Sequence, residues 1–262
     1  MHKKSNIAVV GARGYSGSEL VRLLAGHPHV TVAGLYASQS WNPGDELDLP
    51  ALSSVPVRPA EDILSQNYDV VFLATPPEAS LELAPALLKK GTSVIDLSGA
   101  FRLQSGDTSA RYKAWYKFDH TAPAELAHAF YGLAPFATPA PSTGPWLVSN
   151  PGCYATAVAM AIVPLLRANL VDPDSWVIDA KSGTTGAGKK AQDSLLHAEV
   201  ADDCAPYKVG VHQHLPEIIE TCQRFAKVTP DLAFTTPLLP VRRGILASCY
   251  ATLRPNVTLL DV

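Results

Sequence analysis

Several features that would each mark a class are scarce in this sequence. There are four cysteines in 262 residues, Cys153, Cys204, Cys222 and Cys249, with no C-x-x-C pair. That spacing gives neither a disulfide framework nor a zinc knuckle, and a reducing compartment follows as the default. Charge is low at 17%, with 21 Lys and Arg against 24 Asp and Glu, for a net charge of −3. The basic excess that marks nucleic-acid or anionic-membrane partners is missing. The longest apolar run, Cys153 to Leu166, falls short of the roughly 20 residues needed to span a bilayer. Near the start, the apolar run Ile7–Val10 that follows Lys3 and Lys4 is too short for a signal-peptide core. Repeats and low-complexity tracts are lacking as well. A hydrophobic content of 47% at small net charge excludes intrinsic disorder and suffices for one large domain or two ordinary ones. The expectation is a soluble, cytoplasmic protein without membrane or nucleic-acid partners.

What is present is alternation. Asn6–Val10, Val30–Tyr36, Tyr68–Ala74 and Ser93–Leu97 read as buried strands, with helical patterns at Ser18–Gly26 and Glu78–Lys90. Strands alternating with helices predict right-handed βαβ units and an α/β, Rossmann-type parallel sheet. Residues 104 to 146 are rich in aromatics and proline, have little periodicity, and suit a long crossing segment. A strand at Trp146–Ser149, the turn Asn150-Pro151-Gly152, an apolar helix and a strand at Trp176–Ala180 follow. The later runs Leu232–Thr236 and Ile245–Leu253 suit antiparallel strands. The domains expected are residues 1–149, binding a dinucleotide, and a second α+β domain over 150–262 for catalysis, substrate and oligomerisation.

Five constellations carry chemistry. Gly11-Ala-Arg-Gly14-Tyr-Ser-Gly17 lies between a strand and a helix, where backbone N–H groups can meet a pyrophosphate at a helix N-terminus. The second strand ends in Tyr36-Ala-Ser-Gln39, without the carboxylate that would bind a ribose 2′-hydroxyl. With Arg13 and Ser38 near as donors, NADP is favoured over NAD. Cys153, just after Asn150-Pro151-Gly152, is placed on the first turn of a helix, where the dipole favours thiolate. His212 and His214, two apart and followed by Pro216 and Glu217 at a helix start, can supply a general base. Rival readings are a zinc site completed by Cys204 or Glu217, and a plain pair of core or surface histidines. Ser182–Gly188 resembles a second cradle of backbone N–H groups, but lacks the Ser or Thr of a nucleoside-triphosphate loop. Arg102, after a parallel strand, is placed to clamp a phosphate or carboxylate. Arg242 and Arg243 form another cationic pair.

In this order the motifs resemble one family. Gly-Ala-Arg-Gly-Tyr-Ser-Gly-Ser-Glu-Leu (11–20), Asp-Leu-Ser-Gly-Ala-Phe-Arg (96–102) and Tyr-Gly-Leu (131–133) look like N-acetyl-γ-glutamyl-phosphate reductase, of the aspartate-semialdehyde dehydrogenase superfamily. So do Asn-Pro-Gly-Cys-Tyr-Ala-Thr (150–156), Ser-Gly-Thr-Thr-Gly-Ala-Gly-Lys (182–189), His-Gln-His-Leu-Pro-Glu-Ile (212–218) and Pro-Val-Arg-Arg-Gly-Ile (240–245). The resemblance covers almost the whole chain and implies an NADPH-dependent reduction of an acyl phosphate in arginine biosynthesis, through a cysteine thioester. It implies Cys153 as nucleophile and the His212/His214 motif as general base; of the two, His214, closest to the helix start, is expected to be the acid/base and His212 to bind substrate. Gly11, Arg13, Gly14, Tyr15, Ser16, Gly17, Ser38, Ser182, Gly183 and Gly186 would bind NADP(H), and Arg102, Asn150, Glu217 and Arg243 the substrate. No metal is implied, and a homodimer or homotetramer is. Family members usually close with an Asp-Asn-Leu and Lys-Gly-Ala-Gly-Gln-Ala type segment, which these 262 residues do not contain.

Two alternatives stand beside this reading. One is the paralogue reducing a carrier-protein-linked aminoadipyl or glutamyl phosphate in lysine biosynthesis, with Lys181, Lys189, Lys190 and Arg242 as a basic rim. The other is a non-catalytic dinucleotide-binding protein.

Overall fold

A computed structural model of the chain describes residues 4–39, 41–141 and 143–262. Met1–Lys3, the head of the stretch weighed as a leader, lie outside the described residues. The chain forms two compact units, one of Met1–Gln104 with His120–Asn150, the other of Ser105–Asp119 with Pro151–Val262.

The first unit holds seven strands: β1 (Ser5–Val10), β2 (Val30–Tyr36), β3 (Val57–Arg58), β4 (Val70–Leu73), β5 (Ser93–Asp96), β6 (Phe130–Tyr131) and β7 (Leu147–Ser149). All pair in parallel, in the order β3-β2-β1-β4-β5-β7-β6. The order reverses between β1 and β4, so the carboxyl ends of those strands form a topological switch point, the usual ligand edge of an open α/β sheet. In β1 every residue from Ile7 to Val10 is buried, as expected of a strand covered on both faces. Helix α1 (Tyr15–Ala25) buries Val21 and Leu24 into a cluster with Ile7, Val9, Val32 and Leu35. Helix α2 is Pro77–Lys89. Gly26 caps α1 in right-handed conformation (φ −93°), so no left-handed turn demands it. Residues 104 to 146 are less irregular than their composition suggests. They hold helical turns at Thr108–Arg111 and Pro123–His128, each too short to show a 3.6-residue period, and strand β6.

The second unit contains β8 (Trp176–Ser182), β9 (Ala205–Pro206), β10 (Leu232–Thr235), β11 (Pro237–Leu238) and β12 (Ile245–Tyr250), with helices α3 (Cys153–Arg167) and α4 (His214–Ala226). Of the two late runs expected to be antiparallel, only β12 is antiparallel to β8; β10 lies parallel to it. The reason is the connection. β8 reaches β10 through α4, and a helical crossover returns the chain in the same direction. Along β8, Trp176, Ile178, Ala180 and Ser182 are buried, while Val177, Asp179 and Lys181 face outward. Helix α3 covers the inner side through β8 and β12, and α4 packs on α3. Among the described residues no helix is long and apolar enough to cross a membrane.

The turn after β1 is built without room for side chains. A Cβ on Gly17 would stand 2.9 Å from the Ala12 Cα and nearer still to the Gly11 carbonyl oxygen, whereas one on Gly26 would meet nothing within 4 Å. Gly17→Ala is therefore expected to destabilise by roughly 1–3 kcal/mol, the cost of overpacking against backbone. Gly26→Ala should be neutral or slightly stabilising. Urea denaturation of the two variants checks this, and equal midpoints would refute it.

Candidate active site

In the first unit the cradle forms where expected. Gly11 (φ +78°) turns the chain after β1 and donates its N–H to the Tyr36 carbonyl at 2.9 Å. Gly14 caps α1 with extended backbone and no side-chain cap, leaving the helix start to an outside anion. A Cβ on Gly11 would overlap the Ala74 main chain at the end of β4. Gly11 is thus required by the packing of the turn, and the uncapped start of α1 at Gly14 is what fits the pyrophosphate of a dinucleotide. Arg13 donates through Nη1 to Oε1 of Gln39, which places a guanidinium at the end of β2 beside exposed Ser38. Tyr15 and Ser16 occupy the first turn of α1.

Arg102 is differently employed from its predicted role as an open clamp. It is buried, its Nε donating to the Asn150 carbonyl at 2.9 Å and Nη2 to the Leu97 carbonyl at 2.7 Å. The Asn150 N–H in turn donates to the Asp96 carbonyl at 2.8 Å. The guanidinium thus ties together the chain ends leaving β5 and β7. The Asp96 carboxylate, fully buried and held above the usual carboxylate range by desolvation, accepts from Ser80 at 2.7 Å and from Ser98 at 2.8 Å.

In the second unit, α3 begins at Cys153 with Gly152 as its extended N-cap and no side-chain cap. The Gly152 carbonyl accepts the Thr156 N–H at 2.8 Å and its hydroxyl at 2.9 Å. Cys153 is exposed at this positive helix end, a setting that favours thiolate. The other cysteines differ. Burial pushes Cys222 up to about 12 and raises Cys249, and Cys204 lies exposed at a turn rather than at a helix start.

The two histidines come together, one of them in an unexpected place. His214 is the first residue of α4, not outside it, and its backbone N–H donates to His212 Nδ1 at 3.1 Å. The ring centroids lie 4.8 Å apart, and both rings meet the edge or face of Tyr154. An accepting Nδ1 puts the proton of neutral His212 on Nε2, making that ring a donor. Burial, helped by the charge of Lys208, pulls the His212 pKa down to about 4. The His214 ring lies against Gly152, where an added Cβ would stand 2.7 Å from Cδ2 and Cε1. Glu217 is buried (1% exposed), with Oε1 accepting the Gly152 N–H at 2.8 Å and Oε2 4.0 Å from His214 Nε2. Burial takes it out of the substrate role expected for it, and makes it the holder of the Gly152 peptide.

A cleft of about 510 Å³ opens beside Cys153, lined by both histidines, Ser182, Tyr207 and Lys208. Sequence reasoning missed Tyr154 and Tyr207, whose hydroxyls are 2.9 Å apart and are both held protonated by burial. Only the position of Tyr154, directly after the cysteine, hinted at it. The 182–188 loop is not a cradle of N–H groups. The N–H groups of Gly183, Thr184 and Thr185 donate to the carbonyls of Gly244, Val241 and Arg242, so they are already used. Ser182, Gly183 and Gly186 do line the cleft, while Arg243 is exposed on the strand-joining loop beyond. Lys181 points to the face opposite Ser182 and pairs with Asp179, which removes it from the proposed rim. Among the described residues no three His, Cys, Asp or Glu side chains gather as a metal ion would require.

Known proteins resemble the chain throughout its length. Residues 6–141 match the family described as semialdehyde dehydrogenase, NAD binding domain, and residues 153–262 match semialdehyde dehydrogenase, dimerisation domain. Relatives named N-acetyl-γ-glutamyl-phosphate reductase include one from Brevibacillus brevis, 41% identical over 98% of this chain and 74% of its own. Another, from Geobacillus kaustophilus, is 42% identical with the same shares covered. Among solved structures, aspartate semialdehyde dehydrogenase II of Vibrio cholerae matches with a TM-score of 0.64 at 17% identity, over 97% of this chain and 75% of its own. The Candida albicans enzyme, solved with NADP, matches at 0.62 and 14%, over 99% and 75%. At these identities the structures speak for the fold.

The His212 environment has a consequence for pH. Its folded pKa lies below the unfolded value, so the folded state gains from a neutral ring above about pH 6.5 and loses that gain as pH falls toward 4. The urea midpoint should drop through this window, and His212→Asn should flatten the drop. An NMR titration of the His212 ring with its midpoint above 6 would refute the assignment.

Proposed function

Since the chain belongs to the N-acetyl-γ-glutamyl-phosphate reductases of the semialdehyde dehydrogenase family, we propose that its Cys153 is the nucleophile of an acyl-phosphate reduction. The protein is an NADP-dependent oxidoreductase, and its reaction converts N-acetyl-γ-glutamyl phosphate to N-acetylglutamate semialdehyde and phosphate in arginine biosynthesis. The observation that supports Cys153 most directly is its place at the open N-terminus of α3, with the His214 ring against the preceding glycine.

In the reaction so read, the Cys153 thiolate attacks the acyl carbon. A C–S bond forms, the bond to the phosphoryl oxygen breaks, and phosphate leaves with that electron pair. Gly11, Gly14, Gly17, Arg13 and Ser38 would hold NADPH, which when bound would supply the hydride for reduction of the thioester. His214 gives a proton to the oxygen of the reduced adduct and takes it back as the C–S bond breaks, releasing the aldehyde and restoring the thiolate. His212, neutral and with its proton on Nε2, donates a hydrogen bond to substrate. Arg102 and Glu217 act as positioning residues, holding the Asn150 and Gly152 peptides on either side of Pro151. The reaction is cytoplasmic, and Ser182, Gly183 and Gly186, which line the cleft beside Cys153, are further cofactor-binding residues in this reading.

Two copies associate through the outer face of the second unit's sheet, to give a homodimer or a homotetramer built on it. Val177, Leu246 and Tyr250 are more than half exposed there, and the β8–β12 register groups them on one face. The match of residues 153–262 to a dimerisation domain supports this reading.

Cys153→Ala should abolish NADPH oxidation with N-acetyl-γ-glutamyl phosphate while NADPH binding, followed by its fluorescence, persists. Cys204→Ala should turn over normally. Near-normal turnover of Cys153→Ala would remove the covalent step. For the assembly, Leu246→Arg with Tyr250→Asp should lower the sedimentation mass, and an unchanged mass would place the interface elsewhere.

A further inference from the structure

We infer that Lys208 is the cation that seats the phosphoryl group of the acyl phosphate, and so a substrate-binding residue that none of the sequence motifs singles out. The inference rests on the reaction proposed above. Among the described residues that line the cleft beside Cys153, Lys208 is the single Lys or Arg, and Asp and Glu are absent. A substrate with a phosphate and a carboxylate that enters there meets one fixed positive charge. The other candidates are employed elsewhere. Arg102 is buried with two N–H groups on main-chain carbonyls, and Arg242 and Arg243 are not lining residues. His212, with its ring neutral, adds a hydrogen-bond donor but no charge.

Lys208 is also held in place. Its Nζ donates to Oε1 of Gln213 at 3.0 Å, and Gln213 lines the same cleft. Its backbone is left-handed, with φ +48°, and its carbonyl accepts the Val211 N–H at 3.1 Å to close the turn that leads to His212. A lysine gains nothing sterically from that conformation, which favours glycine. The turn sets the direction in which the Lys208 side chain leaves the backbone, and the bond to Gln213 brings its exposed ammonium to the cleft. Its charge is felt at His212, which places it in the electrostatic environment of the site.

Of the two anionic groups, the phosphate is the better match. It carries the larger charge, and more develops on its bridging oxygen as the C–O bond breaks. A compact ammonium with three rotatable donors suits that oxygen cluster and follows it as it departs.

The test runs the reaction backward, with N-acetylglutamate semialdehyde, inorganic phosphate and NADP, varying phosphate and aldehyde separately. Lys208→Met should raise the KM for phosphate roughly tenfold or more while the aldehyde KM changes little. Lys208→Arg should recover most of the phosphate affinity, which a merely folded loop would not explain. A second readout is independent of turnover: phosphate should protect Cys153 from iodoacetamide, and Lys208→Met should shift half-protection to higher phosphate by the same factor. A rise in the aldehyde KM instead would assign Lys208 to the carboxylate and overturn the proposal. Unchanged phosphate KM and unchanged protection would overturn it as well. A wild-type chain that fails to oxidise the aldehyde, yet is protected by phosphate through Lys208, would sink the reductase reading alone.

Discussion

Gly152 carries three obligations at once. Its N–H is held by the Glu217 carboxylate at 2.8 Å, its carbonyl takes the first bonds of α3 from Thr156, and its missing side chain makes room for the His214 ring. Each fixes a different neighbour. The carbonyl starts the helix one residue before Cys153, the N–H couples that start to α4, and the open space brings an imidazole to the same peptide. A buried carboxylate is costly unless it is hydrogen-bonded. Here the cost is offset by an amide at the positive end of α3, so the same helix end serves Glu217 and the exposed thiol.

That geometry depends in turn on α4 staying where it is, and the next turn of α4 shows how. Glu220, 8% exposed, accepts from Arg111 Nη1 at 2.6 Å and from Arg224 Nη2 at 3.1 Å. Arg111 Nη2 also reaches the Pro216 carbonyl at 3.4 Å. Arg111 comes from the excursion Ser105–Asp119, which folds with the second unit although it interrupts the first in sequence, and its bonds to α4 are part of that attachment. A buried carboxylate with two guanidiniums is satisfied only in one register of the helix, so it acts as a pin more than as a source of stability.

The parts of this arrangement that could be read from the sequence are those in which residue type and function coincide. Gly11 and Gly17 stand where side chains would collide with backbone, and an Asn-Pro-Gly turn before a cysteine marks a helix start that nothing else caps. The strands Val30–Tyr36 and Ser93–Asp96 were legible because buried parallel strands are continuous apolar runs. What escaped was tertiary. Nothing in the composition of Ser105–Asp119 tells which unit it joins, since the partner of Arg111, Glu220, lies more than a hundred residues away. The N–H groups of residues 183–185 resemble a cradle until the loop at 241–244, some 57 positions later, is seen to use them. Arg102 sits at the ligand edge of a sheet, as an anion clamp would, yet its partners are carbonyls contributed by chain ends that only the fold brings within reach.

The same distinction explains how the site separates charge from proton transfer. Two histidines two residues apart look interchangeable in sequence, but a single hydrogen bond makes them unequal. By accepting the His214 N–H, Nδ1 of His212 loses its freedom to protonate, and burial removes the remaining incentive. One ring is thereby fixed as a neutral donor across the physiological range. The other, placed against the peptide that precedes the thiol, is left as the group that can take and return a proton there. A cleft with one fixed cation and one permanently neutral imidazole can bind an anion without changing its own protonation. In the proposed reaction, proton movement is then confined to the thiol and its neighbouring ring, where the bond changes would occur.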